Sequence, residues 1–400
     1  MTEWKTYRLG NLCDTISDTY KGCADEVVLI NTSDVLEGKC LNHTKEPNRN
    51  LKGQFKKTFK KYDILYSEIR PANKRFAYID FDATNYIAST KLMVLRHNEK
   101  IEPLYLYYIL QSQNIINELQ MLAESRSGTF PQITFSELSR LEVKLPNREA
   151  QRQILGILGA IDDKIENNRR INTNLELQAQ ALFEEWISKS KTSKGVFNDI
   201  IQTTLAGDWG QETTQGNYTH EVYCIRGADI PSLRNGDKGK MPIRYILEKN
   251  YKAKQLRAND LVIEISGGSP TQSTGRICMI TQSLLDRLAK DVVCTNFCRA
   301  ITPKNGYAIF IFLYWQMLYN KNTMFSYENG TTGIKNLNIA DLISKEPIDI
   351  PKQEDVDKLN VVLQPIYDQI YANGLQNETL ATLRDTLLPK LMNGEIKVTE

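Results

Sequence analysis

The sequence predicts an α+β protein: two tandem mixed α/β modules, each followed by a long helix, with the two helices pairing as an antiparallel coiled coil of internal-repeat, pseudo-two-fold symmetry. Three observations predict it. The stretch from Leu138 to Trp186 recurs from Leu342 to Leu391, a heptad-spaced seam runs through both copies, and strand-like runs fill the segment in front of each.

Residues 1–145 form the first module. Strand-like runs lie at Glu26–Ile30, Phe76–Phe81 and Lys91–Leu95, where β-branched and aromatic residues cluster. A helical run follows from Leu104 to Leu122, and a glycine-bearing loop, Ser125–Phe135 (SRSGTFPQITF), closes the module. Residues 146–188 form the first long helix, opening at Pro146, because a proline at or just outside the first turn loses no helical hydrogen bond. From Asn147 to Ile187 it would span about 60 Å at about 1.5 Å per residue. The Ser/Lys-rich stretch Ser188–Gly195 reads as a linker, and linker plus second module cover residues 189–350. That module has strand-like runs at Leu261–Ile265 and Arg276–Ile280, a helical run at Tyr307–Tyr319 and a closing loop at Glu328–Leu337. A second long helix occupies residues 351–394, from Pro351 to a stop at Asn393-Gly394, and leaves a tail at 395–400.

Beyond Pro146 and Pro351 the two copies keep a constant offset of 205 residues. Ile154, Leu158, Ile161, Ile165, Leu175 and Leu182 then match Leu359, Leu363, Ile366, Ile370, Leu380 and Leu387. Asn168 and Asn172 match Asn373 and Asn377. Upstream the likeness is looser: Ser33-Asp34-Val35 against Ala228-Asp229-Ile230, Asp63-Ile64-Leu65 against Asp260-Leu261-Val262, and Tyr105–Leu110 against Phe310–Trp315. The matched positions fall at alternating steps of about four and three, the spacing of a heptad seam, and form the expected helix-pair interface. A buried Asn is costly unless paired, and its attested use is to fix register, so Asn168 and Asn172 are expected to face Asn377 and Asn373.

With 400 residues, 41% hydrophobic and 24% charged, the chain can bury two or three cores and is not a disordered tail. Fifty Lys and Arg against 48 Asp and Glu leave a formal charge of +2, so any basic surface must be local. No apolar run reaches the roughly 18 residues of a membrane span, and Met1–Gly10 lacks a signal-peptide core, which points to the cytoplasm and away from membranes. Seven cysteines at irregular spacing (Cys13, Cys23, Cys40, Cys224, Cys278, Cys294, Cys298) read as reduced thiols.

Signatures of catalysis are missing. The three histidines (His43, His97, His220) are not spaced for a metal with a cysteine pair, and Cys294-x3-Cys298 has no second pair. Gly267 to Gly275 resembles a phosphate loop superficially, but Arg276-Ile277 stands where Lys and Ser/Thr are needed, and no G-x-G-x-x-G follows a strand. Glu142-Val143-Lys144 has nuclease-like spacing, yet its repeat partner Glu346-Pro347-Ile348 lacks the lysine. The expectation is a binder with no catalytic residue, metal or cofactor of its own.

Both modules carry a basic, aromatic-interleaved stretch before the shared aspartate: Lys52, Lys56, Lys57, Lys60 and Lys61 with Phe55, Phe59 and Tyr62, and Arg244, Lys252 and Lys254 with Tyr245 and Tyr251. Such stretches suit a phosphate backbone. Reading base edges needs Arg or Lys for guanine and Asn or Gln for adenine. Candidates in the first module are Arg70, Asn73, Lys74, Arg75, Lys91, Arg126, Ser127, Thr129 and Gln132. In the second they are Ser269, Gln272, Arg276, Asn296, Thr331, Thr332, Lys335 and Asn336.

Two modules each followed by a matching helix, with Gly128 to Ile133 (GTFPQI) and Pro146-x-x-x-x-Gln151 at the first junction, resemble the specificity (S) subunit of type I restriction-modification enzymes. The likeness covers the whole chain and is most specific at the junction and helices. The second junction departs from it, with Gly330 to Leu337 (GTTGIKNL) and Gln353-Glu354 in place of those forms. The resemblance implies two target-recognition domains, each reading half of a bipartite, asymmetric double-stranded DNA site, and helices that set the unread spacer. It implies chemistry in partners: two methyltransferase (M) subunits using S-adenosylmethionine to methylate adenine N6, and restriction (R) subunits using ATP and Mg. Helix faces carrying Arg152, Lys164, Arg169 and Glu176 would dock the methyltransferase. A coiled-coil scaffold without a DNA role, or a stand-alone DNA methyltransferase or nuclease with drifted motifs, remain as alternatives.

Overall fold

The computed structural model describes residues 4–49, 53–125, 131–269, 272–330 and 335–397. Backbone contacts divide the chain into two compact units, Met1–Asp162 with Thr382–Glu400, and Asp163–Ala381, so each long helix contributes to both.

In the first unit, Lys5–Arg8 pairs antiparallel with Glu142–Leu145, the strand that leads into the first long helix, Arg148–Lys189. One antiparallel sheet has the order Cys13–Ile16, Leu92–His97, Ile64–Ser67, Phe76–Tyr78. A second has the order Glu46–Pro47, Glu26–Ile30, Tyr86–Ser89, Phe55–Lys57, its middle pair parallel. Strand Ile64–Ser67 is buried throughout because its alternating side chains serve two cores. Ile64 and Tyr66 pack with Tyr105, Leu106 and Leu119 of the helices, and Leu65 packs with Val28, Ile30 and Ala88 of the second sheet.

The helical run expected from Leu104 to Leu122 is two helices, Pro103–Gln111 and Gln113–Ser125. Ser112 breaks it: its backbone is extended and its hydroxyl donates to the Ile109 carbonyl at 2.7 Å, a local bond that competes with helix continuation.

The second unit repeats the plan. Thr192–Gly195 pairs antiparallel with Ile348–Pro351, the strand before the second long helix, Gln353–Met392. Its larger sheet has the order Ile201–Ala206, Cys298–Pro303, Leu261–Glu264, Ile277–Met279, and the smaller Ile243–Leu247, Tyr218–Ile225, Val292–Cys294, with the last two parallel. The end of the expected linker is thus a strand. A two-stranded pairing at the surface needs only backbone groups, so the exposed Thr-Ser-Lys carries no apolar mark of it.

The shared aspartates are buried turn locks. Asp63 accepts the Lys60 N–H and both Arg96 guanidinium donors, each of these two at 2.7 Å. Asp260 accepts the Arg257 N–H and the Thr302 hydroxyl, and burial pushes its carboxyl up. The residue before each, Tyr62 and Asn259, is left-handed at φ 75° and 73°.

Each long helix begins on the module before it. Gln151, fully buried, accepts the Glu102 N–H at 2.9 Å and donates to the carbonyls of Pro146 and Lys100, which explains its place in the junction motif. At the equivalent position stands buried Val356, and Asn360 one turn on donates to the Gly306 carbonyl at 2.8 Å.

In the first unit Ile154 and Leu158 are buried with Leu391, against Tyr105 and Leu106, with Leu387 and Leu388 packed alongside. In the second, Leu359, Leu363 and Ile370 share a core with Ala179, Phe183 and Phe310, flanked by Leu175 and Ile366. The seam is therefore shared between helix partner and module. Ile161 and Ile165 are buried and Leu380 is half-buried. Leu182, expected in the seam, is 36% exposed, and Phe183 is buried in its place. A straight helix drifts about 20° per heptad relative to a strict seven-residue repeat, and the larger aromatic ring fills the module core against Phe310 and Tyr314.

The structure sets the asparagines face to face. Asn168 donates to Asn377 at 2.9 Å and Asn373 to Asn172 at 2.7 Å, fixing an antiparallel register. The Asn172 amide also donates to the carbonyls of Ile370 and Asn235, and Asn373 accepts from Gln369. In the other pair, the Asn168 Oδ1 and Asn377 Nδ2 atoms have no hydrogen-bond partner among the described residues.

Two outcomes follow from this packing. Asn172→Ala should lower stability by about 1–3 kcal/mol and by more than Asn168→Ala, because it strands more buried partners; chemical denaturation of both variants checks the order. Leu391→Ala should cost about 2–5 kcal/mol and speed amide exchange in strand Ile64–Ser67 of the first module, measured by hydrogen exchange with mass spectrometry.

Candidate nucleic-acid interface

The chain leaving strand Ile64–Ser67 builds one edge of the first module. Glu68 N–H donates to the Lys91 carbonyl at 3.0 Å, and Ile133 N–H to the Glu68 carbonyl at 2.8 Å, which ties three loops together. Between them Pro71–Asn73 makes a short turn flanked by left-handed residues, Arg70 at φ 45° and Lys74 at φ 52°. Such conformations are costly for residues with a side chain and persist where the surroundings hold them. Here the Arg70 N–H donates to the Pro131 carbonyl at 3.1 Å and the Ala72 N–H to the Gln120 side chain at 3.0 Å.

This edge brings together Arg70, Asn73, Lys74, Lys91 and Gln132, the first two and Lys91 exposed and the others half-buried. Among the described residues Arg70, Lys74 and Lys91 have no ion-pair partner. Lys56 is exposed on the neighbouring strand Phe55–Lys57. Lys60 and Lys61 lie instead at the far end of strand Ile64–Ser67, roughly 13 Å away by strand rise, with Lys61 beside the Tyr62 ring at 5.2 Å.

Two first-module candidates are structural. Lys57 donates to the carbonyls of Thr90 and Leu92 at 3.0 and 2.8 Å, and burial pulls its amine down. Arg75 donates to the Ser33 and Val35 carbonyls. Lys52, Arg126, Ser127 and Thr129, with Gly128 and Phe130 of the junction motif, lie outside the described residues, as do Thr331 and Thr332.

The second module builds the equivalent edge with other side chains. Ile265 N–H donates to the Phe297 carbonyl at 2.9 Å and Leu337 N–H to the Ile265 carbonyl at 2.8 Å, the same two ties. Gln132 and Asn336 thereby occupy matching positions, as do Lys91 and Phe297. The Ser266 hydroxyl donates to the Asn336 Oδ1. Ser269 N–H donates to the Gln272 carbonyl and Gln272 N–H to the Ser269 hydroxyl, and Asn296 is exposed beside Phe297.

Other second-module candidates are engaged. Arg276 forms a two-pronged bond to buried Glu264 at 2.8 and 2.6 Å, and that bond holds the guanidinium proton more tightly. Lys335 pairs with Glu328 at 2.9 Å and lies 4.6 Å from the Phe325 ring. Arg244 is 7% exposed, stacked 3.7 Å over Trp209 and paired with Glu212. Lys254 donates to the Gly207 carbonyl and pairs with Asp208, and Lys252 pairs with Glu248 on the exposed helix Glu248–Lys254. The second basic stretch is thus largely neutralised. On the first long helix, Glu176 is bound to Arg234 at 2.6 Å and is not a free docking group.

No group of His, Cys, Asp or Glu among the described residues could hold a metal, and no helix among them is long and apolar enough to cross a membrane. Burial pushes the Cys13, Cys224 and Cys298 thiols up to about 12, so they are inert core residues.

A family model described as Type I restriction modification DNA specificity domain matches residues 1–177. The chain is 28% identical to the type I restriction enzyme MjaIX specificity subunit of Methanocaldococcus jannaschii, over 74% of this chain and 69% of that one. The crystal structure of a type I restriction-modification S subunit from M. genitalium aligns with 16% identity and a TM-score of 0.49, over 100% and 97% of the two chains. Against the type I restriction enzyme HindI specificity subunit of Haemophilus influenzae, identity is 31% over 99% of this chain and 100% of the relative. With that identity sustained from end to end, the chain belongs to the specificity subunits of type I restriction enzymes, the DNA-recognition subunits of type I restriction-modification systems.

Proposed function

We propose that each module reads one half of a bipartite, asymmetric site in double-stranded DNA, and that the paired helices hold the two readers at a fixed separation. The observation that carries this is the repeated three-loop edge. Its backbone ties are the same in both modules, whereas the presented side chains differ: Lys91 against Phe297, Gln132 against Asn336. One frame with two sets of contacts is what reading two different half-sites requires. Arg70, Lys74 and Lys91 supply charge for phosphates, and Gln132, Asn296 and Asn336 supply amides for base edges. Half-sites on one face of the duplex lie about 34–36 Å apart, a separation that a register-locked helix pair sets and a flexible linker would not.

The chain would work without a cofactor. Two methyltransferase subunits docked on the helices would bind S-adenosylmethionine and methylate adenine N6, and restriction subunits would bring ATP and Mg. The setting would be the cytoplasm, where both DNA and these partners are at hand. A protein-only scaffold would show no salt-dependent DNA affinity even when assembled.

Co-expression with the methyltransferase subunits in a host free of other adenine methylation, followed by direct sequencing for N6-methyladenine, tests the proposal. A two-part motif with a fixed gap is expected; one contiguous motif would defeat the two-reader arrangement. In the purified complex, replacing Arg70, Lys74 or Lys91 singly by Ala should weaken binding and reduce the slope of log affinity on log salt by about one each. Arg276→Gln should relax readout of one half-site and leave the other unchanged, scored in the same methylation map.

A further inference from the structure

Phe297 is the most conspicuous side chain on the second edge that the proposed readout leaves without a role. It is 60% exposed although apolar, in the turn between strands Val292–Cys294 and Cys298–Pro303. The turn is rigidly held: the Phe297 carbonyl accepts the N–H groups of Ile265 and Ser266 at 2.9 and 3.3 Å, and Cys298 N–H donates to the Thr295 carbonyl at 2.9 Å. Thr295, two residues earlier, is buried, so an internal anchor carries an external ring. Isolated exposed apolar residues are common and mean little singly. This one stands beside the exposed amide of Asn296, on the loop bonded to Ile265, to which Leu337 next to Asn336 is also bonded. Asn336 accepts the Ser266 hydroxyl through Oδ1, which orients its amide and leaves the NH2 group as a donor.

Among the base-pair features displayed in the major groove, one is apolar: the C5-methyl group of thymine. Resting on the proposed DNA-reading role of this edge, we infer that Phe297 is a specificity-determining residue that packs on a thymine methyl group in the half-site read by the second module. Asn296 and Asn336 flank it as the hydrogen-bonding readers. The first module has Lys91 at this position, so its half-site is read without such a contact.

The test uses the assembled complex of this chain with its methyltransferase subunits and duplexes carrying its methylation motif. Each thymine of the second half-site, on either strand, is replaced in turn by deoxyuridine, which removes only the methyl group. One position should weaken binding about three- to fivefold, the scale of one buried methyl. In Phe297→Ala, affinity for the thymine duplex should fall and the thymine-to-uracil ratio at that position should go to about one, while ratios elsewhere and in the first half-site stay as they were. Phe297→Leu should retain part of the discrimination. A wild-type complex insensitive to uracil throughout the second half-site overturns the assignment, as does a half-site without an A·T pair. So does a Phe297→Ala complex that binds more weakly with its ratio intact, the outcome expected of a purely structural ring. These failures occur with specific binding preserved, whereas loss of all sequence-specific binding by the wild-type complex would defeat the DNA-reading role itself, and the assignment with it.

Discussion

The arrangement depends on amide hydrogen bonds buried between two helices. Apolar seams tolerate sliding by a heptad, because one leucine fits the hole vacated by another; a buried amide does not, since a shift leaves donors and acceptors without partners in a low-dielectric environment. Asn172 opposite Asn373, with both amides fully bonded, and the single bond from Asn168 to Asn377 select one register. That register places Leu391 beside Ile154 and Leu158 in one core and Phe183 among Leu359 and Leu363 in the other. Each module's core is completed by the far end of the helix that follows the other module.

A second constraint acts within the modules. The backbone ties at Glu68 and Ile265 and the buried turn locks at Asp63 and Asp260 are common to both, although few side chains around them match. Recognition surfaces must vary, and backbone hydrogen bonds let side chains change without moving the frame. Pairing Arg276 with buried Glu264 follows the same logic: the guanidinium holds the loop through two bonds and is not presented as a free charge.

Much of the helical part was legible in the sequence. The offset of 205 residues and the repeated asparagines specify which amides meet, because heptad spacing maps directly onto one face. Leu182 was misplaced by the same rule, since spacing alone does not say when a straight helix has drifted far enough for Phe183 to take over. The break at Ser112 and the strand Thr192–Gly195 were hidden because both rest on backbone bonding in polar sequence. At the candidate interface, Arg70, Lys74 and Lys91 could not be told in advance from Lys57, Arg75, Arg244, Lys254 and Arg276. All are cations near loops, and only the fold shows which already have carbonyl or carboxylate partners. Phe297 was missed because hydrogen-bonding residues were sought, and the available cue, an aromatic residue in the polar turn Thr-Asn-Phe-Cys, is weak.

The sharing of helix ends also dictates an order of events during synthesis. Residues 382–397 belong to the same compact unit as the first module, and Gly394, left-handed at φ 81°, lies where an added Cβ would strike the Trp4 ring. They leave the ribosome about 220 residues after Asp162, whereas every part of the unit Asp163–Ala381 is contiguous. At ordinary translation rates of about 5–20 residues per second, the first-made module waits of the order of ten seconds or more for its last apolar contacts, and the second can close before it. The nascent first module therefore carries an uncovered apolar groove, around Ile154 and Leu158, throughout synthesis of the second.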